Sequence, residues 1–166
     1  MKAAGGLPST HNFDERMVHR KFSVTGRQPP HLNRHNRKEM AGKILIVEDN
    51  ARLAESLAIC LNEAGYETLW AENSARGINT ALNERPDLIL TDLNLPDMIA
   101  IDAMTILKND PGTSAIPIVV LTAETAGQWK SKALKAGAAE YLLKPISPGD
   151  LVNVARKFCP PPSHLF

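Results

Sequence analysis

The chain has 166 residues, 43% hydrophobic and 22% charged, which allows one globular domain whose core needs no disulfide or metal. Cys60 and Cys159 lack the spacing of a disulfide framework. No apolar run reaches the ~18–20 residues of a membrane span, and the N-terminus has no apolar stretch typical of a signal peptide. We therefore expect a cytoplasmic protein. The net charge of +1 argues against a dedicated nucleic-acid-binding protein.

The charge is unevenly distributed along the chain. Residues 1–41 contain eight basic and three acidic side chains, whereas residues 42–166 contain eleven and fifteen. Because the first segment has neither a helical nor a strand period and few large apolar side chains, we interpret 1–41 as a disordered basic extension. Any contact with nucleic acid or an acidic partner through charge is therefore expected there. Met40 directly precedes the first apolar run, so residues 1–39 are either a real extension or a misassigned start.

From Lys43 onward, short apolar runs alternate with helical patterns. We predict strands at 44–47, 66–71, 88–90, 116–121 and 141–143. We predict helices at 50–64, 73–85, 101–108, a segment ending near 137, and 148–158. Ile78, Ala81 and Leu82 are expected on the inner face of the second helix. This alternation predicts an α/β fold with a doubly wound parallel sheet. The domain is expected to span 42–158, followed by a short tail, 159–166.

Polar residues follow four of the predicted strands. In a doubly wound sheet the carboxyl ends of all strands lie at one edge, where ligands bind. The residues expected at this edge are Glu48, Asp49, Asp92, Thr122 and Lys144. Four other acidic residues are interpreted as ordinary solvated loop positions: Asp87 at the opposite edge, Asp97, Asp102 and Asp110.

The chemistry of this edge follows from its charge. Two carboxylates ~6 Å apart repel by roughly 3 kcal/mol at an effective dielectric near 20, so three in one cleft favour the binding of a cation. Carboxylate oxygens in an open, hydrated cleft suit Mg²⁺. Lys144 and Thr122 add donors for an anion that shares the site, and a phosphoryl group fits this arrangement. Asp92 would then be the nucleophile, forming an acyl phosphate.

Four stretches of the chain resemble the receiver domain of two-component response regulators, in the same order and with similar spacing. They are residues 44–50, 86–96, 117–123 and 138–145, and the resemblance covers about 43–158. It implies a flavodoxin-like five-stranded sheet in the order 2-1-3-4-5 with five helices.

The resemblance also implies roles for the acidic residues. Asp92 corresponds to the phosphoacceptor, charged by a sensor histidine kinase or a histidine phosphotransfer protein. Asp49 corresponds to a direct Mg²⁺ ligand, together with Asp92. Glu48 corresponds to a residue that reaches the ion through water, and Asn94 to a ligand through its backbone carbonyl.

The remaining roles concern the phosphoryl group and the switch. Lys144 corresponds to the residue that pairs with the phosphoryl oxygens, and the bond between Lys144 and Pro145 is expected to be cis. Thr122 and Tyr141 correspond to a switch pair in which the hydroxyl moves toward the phosphoryl group and the ring fills the vacated space.

Two positions depart from the family pattern. Glu48 stands where Asp is usual, and we expect the longer side chain to be tolerated because its contact with the metal is indirect. Ile99 and Ala100, after Met98, replace an acidic residue or Asn followed by Gly. Because loss of that Gly removes easy access to positive φ, we expect a rebuilt loop without an insertion and an altered transfer rate or kinase choice.

Eight residues follow Phe158, so we expect a stand-alone receiver whose output is a phosphorylation-dependent contact with a downstream protein. The expected surface is formed by the fourth helix, the fifth strand and the fifth helix. Trp129 in that fourth helix is either a contact anchor or packed against its own helix, and Trp70 is assigned to the core or its rim.

Two other functions stay open from the sequence. One is a receiver-like adaptor that binds partners independently of phosphorylation. The other is a phosphatase with an Asp nucleophile; Asn94 argues against it, because an amide cannot act as the acid where such enzymes carry a second Asp. We therefore expect a phosphoacceptor that assists its own phosphorylation and hydrolysis, not a turnover enzyme. Mg²⁺ should raise the melting temperature, and Asp49→Ala should largely remove that effect.

Overall fold

The computed structural model describes residues 41–161. The basic extension, Met40 and residues 162–166 therefore lie outside the described part. Ala41 and Cys159 are both buried in the hydrophobic core, so the packed unit extends one residue beyond each end of the predicted 42–158 domain.

Five strands and five helices alternate along the described residues, which confirms the predicted α/β class. The strands are β1 (Lys43–Val47), β2 (Glu67–Ala71), β3 (Leu88–Thr91), β4 (Ile118–Thr122) and β5 (Glu140–Leu143). The helices are α1 (Ala51–Glu63), α2 (Ser74–Glu84), α3 (Ala100–Asn109), α4 (Gly127–Lys135) and α5 (Pro148–Phe158). All strand pairs are parallel and the sheet order is β2-β1-β3-β4-β5, as the resemblance implied.

The sheet is covered on both faces, which explains why its strands are continuously apolar. In β1, Ile44 and Ile46 belong to the cluster that packs under α1 and α5. Leu45 and Val47 belong to the second cluster, which lies under α2, α3 and α4. Alternate residues of one strand therefore enter opposite halves of the core.

The helix boundaries follow the polar residues and glycines that predicted them. Asn50 Oδ1 accepts hydrogen bonds from the backbone N–H groups of Arg52 and Leu53 at 3.1 and 3.2 Å, which caps α1. Gly65, which has a positive φ of 97°, follows the end of that helix and permits the turn into β2.

Three local predictions were wrong. Strand β4 begins at Ile118 rather than at Ile116, because the N–H of Ile116 closes a turn on the carbonyl of Thr113 at 3.0 Å. Tyr66 is buried but precedes β2. Leu82 is 38% exposed, because the buried positions of α2 end at Ala81 and the next residue turns away by about 100°.

None of the helices within residues 41–161 combines the length and the apolar character that a membrane crossing requires.

Candidate functional site

Three charged side chains form one ion-paired cluster at the carboxyl edge of the sheet. The Nζ atom of Lys144 lies 2.7 Å from Oε2 of Glu48 and 2.6 Å from Oδ2 of Asp92. Glu48 follows β1, Asp92 follows β3 and Lys144 follows β5, so the lysine reaches across the end of β4. The side chains of Glu48, Asp92 and Lys144 are only 4%, 13% and 17% exposed, which makes these interactions partly shielded from water.

Glu48 is held by its backbone as well as by its carboxylate. Its N–H donates to the carbonyl of Ala71 at 3.0 Å, and its own carbonyl accepts from the indole Nε1 of Trp70 at 2.8 Å. Its Oε1 accepts from the N–H of Asn50 at 3.1 Å. We expected Glu48 to contact only the metal, and only indirectly. In the structure its side chain also pairs directly with Lys144.

The pKa values of this cluster reflect burial and pairing. Burial raises the pKa of Glu48, and this effect outweighs the lowering by Lys144 and by the Asn50 N–H. Burial alone would lower the pKa of Lys144, but its hydrogen bonds to Asp92 and Glu48 dominate and raise it. Lys144 therefore stays protonated at neutral pH and neutralises part of the acidic edge.

Asp92 is positioned by the end of β3. Its N–H donates to the carbonyl of Val47 at 3.0 Å, and its carbonyl accepts from the hydroxyl of Thr91 at 2.9 Å. Oδ1 accepts from the N–H of Asn94 at 3.3 Å, while Oδ2 faces Lys144. Each carboxylate oxygen thus has one donor, and the group lies at the rim of the cleft rather than in the core.

Asp49 is exposed beside this cluster, and within residues 41–161 its carboxylate forms no ion pair or hydrogen bond. No three Asp, Glu, His or Cys side chains in that range form a group that could hold a metal ion. Mg²⁺ binds proteins through one or two carboxylates and retains several waters. The oxygen donors of Asp49, Asp92 and Asn94 fit a Mg²⁺ ion that keeps part of its water shell. They do not fit a metal ion that is bound by side chains alone.

Thr122 at the end of β4 and Tyr141 in β5 both form hydrogen bonds with Glu124, in the loop that follows β4. The buried Thr122 accepts at Oγ1 from the N–H of Glu124 at 3.3 Å, and the hydroxyl of Tyr141 donates to the carbonyl of Glu124 at 2.8 Å. Burial raises the pKa of Tyr141, and the charges of Glu124 and Asp92 add to this rise. Sequence reasoning missed Glu124, although its place two residues after Thr122 was a usable signal.

The loop between β3 and α3 contains no glycine. No residue from 92 to 99 has a positive φ, and Ile99 at the start of α3 provides no side-chain cap. Asp97, which we expected to be merely solvated, accepts from the N–H groups of Ser74 and Ala75 at 2.9 and 2.7 Å. Asp97 is exposed, as expected, but the sequence did not predict these bonds, because their donors come from α2, which is remote in sequence.

Of the other three acidic residues that we expected to be solvated, Asp87 and Asp110 form side-chain hydrogen bonds within residues 41–161 and Asp102 does not. Asp87 lies at the opposite edge, as predicted, and its Oδ2 accepts from the N–H of Lys43 at 2.8 Å. Asp110 Oδ1 accepts from the N–H of Gly112 at 2.8 Å and closes a turn. Asp102 is exposed in the first turn of α3.

The two tryptophans occupy different places. Trp70 packs at the edge of the first core cluster, which agrees with its assignment to the core or its rim. Trp129 is partly buried against the second cluster, and the ammonium of Lys132 lies 4.5 Å from its ring centroid. Its own domain therefore covers part of the ring that we considered as a contact anchor, while Gln128 and Lys130 beside it are exposed.

Comparison with known proteins identifies the family to which this fold belongs. The family model of the response regulator receiver domain matches residues 44–156. The chain belongs to this family. Receiver domains are the phosphoacceptor switches of two-component systems, and they partner with histidine kinases.

Individual proteins support this placement of the receiver domain. The phosphate regulon transcriptional regulatory protein PhoB of Pseudomonas aeruginosa is 44% identical over 114 residues, which are 68% of this chain and 50% of PhoB. This chain therefore spans about half the length of that relative.

Solved structures agree. The chemotaxis response regulator CheY4 of Vibrio cholerae superposes with a TM-score of 0.66 at 28% identity, covering 70% of this chain and 97% of CheY4. The receiver domain of the sensor histidine kinase PA1611 from Pseudomonas aeruginosa, described with a magnesium ion coordinated in the active site cleft, gives a TM-score of 0.67 at 26% identity. The match covers 71% of this chain and 97% of that receiver-domain chain.

Proposed function

We propose that this receiver domain accepts a phosphoryl group on Asp92 from the phosphohistidine of a sensor kinase or phosphotransfer protein and thereby switches a protein-binding surface. The observation that carries the proposal is the contact of Lys144 Nζ with Asp92 Oδ2, while Oδ1 faces the Asn94 N–H. These donors surround the carboxylate at the rim of the cleft, where a phosphoryl donor has access. A cytoplasmic location remains a prediction.

The transfer step follows from this geometry. An oxygen of Asp92 attacks the phosphorus, a P–O bond forms, the P–N bond of the phosphohistidine breaks, and the imidazole leaves with the electron pair. Lys144 then donates to the phosphoryl oxygens, and Thr122 offers a hydroxyl donor. Water later attacks the phosphorus of the acyl phosphate, which regenerates the carboxylate and releases inorganic phosphate.

Magnesium fits the same edge. We propose that Asp49 and Asp92 bind it directly, Asn94 binds it through the backbone carbonyl, and Glu48 contacts it through water. When bound, the ion neutralises negative charge on the phosphoryl oxygens. Glu48 and Lys144 are ion-paired in this structure, so this chain also supplies a cation of its own at that position.

The switch step concerns Glu124. Phosphorylation adds a charge of about −1.5 to −2 beside Lys144, which attracts the hydroxyl of Thr122. To turn toward the phosphoryl group, the hydroxyl of Thr122 must release the N–H of Glu124. The carbonyl of the same Glu124 accepts the hydrogen bond from Tyr141. Movement of this loop is propagated to the adjoining α4, and the surface formed by α4, β5 and α5 is the proposed contact for a downstream protein.

The test is phosphorylation with a small donor. Incubation with Mg²⁺ and acetyl phosphate should add one phosphoryl group to the protein by intact mass, and Asp92→Asn should abolish this. Asp102→Asn is the matched control, because it removes an exposed carboxylate outside the cleft. Phosphorylation that persists in Asp92→Asn would contradict the assignment. Partner binding that ignores both Mg²⁺ and the phosphodonor would indicate a phosphorylation-independent adaptor instead.

A further inference from the structure

The loop that carries Asn94 connects β3 to α3 and is fixed at both ends. At its start, the N–H of Asp92 donates to the carbonyl of Val47 at 3.0 Å, and Leu93 is fully buried. The carbonyl of Leu93 accepts from the N–H of Ala100 at 2.9 Å, which closes the base of the loop. The arm from Asn94 to Ile99 projects from this base, so its position depends on what holds it farther out.

The outer arm is fastened to the first turn of α2. Asp97 Oδ1 accepts from the N–H of Ser74 at 2.9 Å, and Oδ2 accepts from the N–H of Ala75 at 2.7 Å. The hydroxyl of Ser74 donates back to the carbonyl of Met98 at 3.0 Å, and Ser74 is 1% exposed. Two elements that are more than twenty residues apart therefore exchange three hydrogen bonds.

The pKa of Asp97 is consistent with this fastening. Partial burial would raise the pKa, but the N–H groups of Ala75 and Ser74, with those of Asp97 and Met98, outweigh it and lower the pKa. A carboxylate at a helix N-terminus is also favoured by the helix dipole. Asp97 is therefore charged at neutral pH and holds both donors.

The link from Asp97 to Asn94 is short and stiff. Only Leu95 and Pro96 separate them. The ring of Pro96 fixes its own φ, and the residue before a proline is restricted to extended conformations. Displacement of Asp97 therefore moves Asn94 instead of being absorbed between them.

We infer that Asp97 is a positioning residue for the cation site: its hydrogen bonds to the start of α2 set the place of the Asn94 backbone carbonyl. This inference rests on the proposed function, in which that carbonyl binds Mg²⁺. It assigns Asp97 the role of an anchor for a loop that lacks the glycine usual in this family and in which Ile99 leaves the start of α3 without a side-chain cap.

The test compares Mg²⁺ affinity with stability in matched variants. Asp97→Ala should weaken Mg²⁺ binding, measured by calorimetric titration with Mg²⁺ alone, by about 10-fold, the loss typical when a residue supporting a metal ligand is removed. Asp97→Asn, which keeps one acceptor oxygen, should give a smaller loss. Ser74→Ala, which removes only the bond to Met98, should also lie between wild type and Asp97→Ala.

Asn73→Ala is the control. Asn73 caps the same helix by accepting from the N–H of Arg76 at 2.9 Å, without a bond to the β3–α3 loop. Its removal should cost as much stability in urea denaturation as Asp97→Ala does, yet leave Mg²⁺ affinity within about 2-fold of wild type.

Each result has a distinct meaning. If Asp97→Ala, Asp97→Asn and Ser74→Ala all bind Mg²⁺ as tightly as Asn73→Ala, the positioning role is refuted while the proposed function stands. If wild type gives no Mg²⁺ binding and is not phosphorylated at Asp92, the proposed function fails and this inference falls with it. Because Asp97→Asn and Ser74→Ala are mild changes, they keep the test decisive even if Asp97→Ala folds poorly.

Discussion

The ammonium of Lys144 lies between Glu48 and Asp92, 2.7 Å from Oε2 of the first and 2.6 Å from Oδ2 of the second. One cation therefore serves two carboxylates that are carried by different strands. An ammonium has three N–H donors, so a phosphoryl oxygen can bind Lys144 beside these two pairs. The resting site is thus held together by the same residue that we propose to receive the phosphoryl oxygens.

Removal of that cation should destabilise the domain in a pH-dependent way. At pH ~7, Lys144→Met should lower the free energy of unfolding by about 3–5 kcal/mol, because it leaves a buried carboxylate unpaired. Without Lys144 the pKa of Glu48 rises further in the folded state. Since the folded variant then binds this proton more readily than the unfolded chain, its stability rises as pH falls, and the deficit should shrink by pH ~5.

Urea denaturation of wild type and Lys144→Met at the two pH values measures this. Lys157→Met is the comparison, because it breaks an ion pair with Glu140 in which Lys157 is 62% exposed and should cost less than about 1 kcal/mol. An equal deficit for Lys144→Met at both pH values would show that Glu48 does not respond to the lysine.

Asp97 should contribute to stability only above acidic pH. Its pKa in the folded state is lower than the usual 3.8, so the folded protein releases this proton more readily than the unfolded chain. The contribution is therefore complete above the unfolded pKa and disappears as pH falls through the folded value. Asp97→Asn should be less stable than wild type by about 1 kcal/mol near neutrality, and this difference should disappear as pH falls through the folded pKa of Asp97. A difference that persists at the acidic end would contradict this account.

The two cysteines should differ in reactivity. Burial, with a smaller effect from Asp87, raises the pKa of Cys159 to about 11, and this residue is 4% exposed. Cys60 is more accessible, although burial and Glu63 raise its pKa as well. Since the thiolate is the reactive form, a disulfide reagent at pH ~8 should modify Cys60 first and Cys159 only in urea.

The reaction of the disulfide reagent with the variants Cys60→Ser and Cys159→Ser, followed by release of the reagent's thiol, assigns a modification rate to each cysteine. In the folded protein, Cys60→Ser should react far more slowly than Cys159→Ser, and the two should become equal in urea. Fast reaction of the folded Cys60→Ser protein would mean that Cys159 is not enclosed as the structure shows.

Gly42 should resist substitution for two separable reasons. Its φ is +150°, and a Cβ built there would overlap Sγ of Cys159. Gly42→Ala should lower the free energy of unfolding by about 1–3 kcal/mol, and the penalty should be smaller in a Cys159→Ala background, where the sulfur is absent. Gly127→Ala, whose Cβ would meet no atom within 4 Å, should be neutral or slightly stabilising. Identical penalties in both backgrounds would assign the whole effect to φ.

Most of the fold could be predicted from the chain alone because each element carries its own local signal. Continuous apolar runs indicate strands buried on two faces, as in Ile44 to Val47, and Asn50 and Gly65 bound α1 by their own conformational preferences. Because parallel strands end at one edge of a sheet, the sequence also predicts that Glu48, Asp92 and Lys144 lie close together.

The rest depended on side-chain reach and on contacts between remote segments. Nothing in a periodic pattern shows that the carboxylate of Glu48 pairs directly with Lys144. The bonds between Asp97 and the start of α2 join residues 22 and 23 positions apart, a separation at which local preferences carry no information. The prediction for Leu82 was wrong for a related reason. The small residues Gly77 and Ala81 lie on the inner face of α2, whereas a hydrophobicity pattern favours the larger Leu82 for that face.

The hydrogen bond from the indole of Trp70 to the carbonyl of Glu48, 2.8 Å long, gives the protein an optical reporter of its own. The fluorescence of an indole depends on the electric field and the solvation around Nε1. In Trp70 this nitrogen is hydrogen-bonded to the backbone of Glu48, whose carboxylate pairs with Lys144. The chain contains one other tryptophan, Trp129 in α4, so a Trp129→Phe protein would report the cleft alone and Trp70→Phe the output helix alone. Arrival of a phosphoryl group and its propagation to α4 can therefore be timed separately, without attaching a dye.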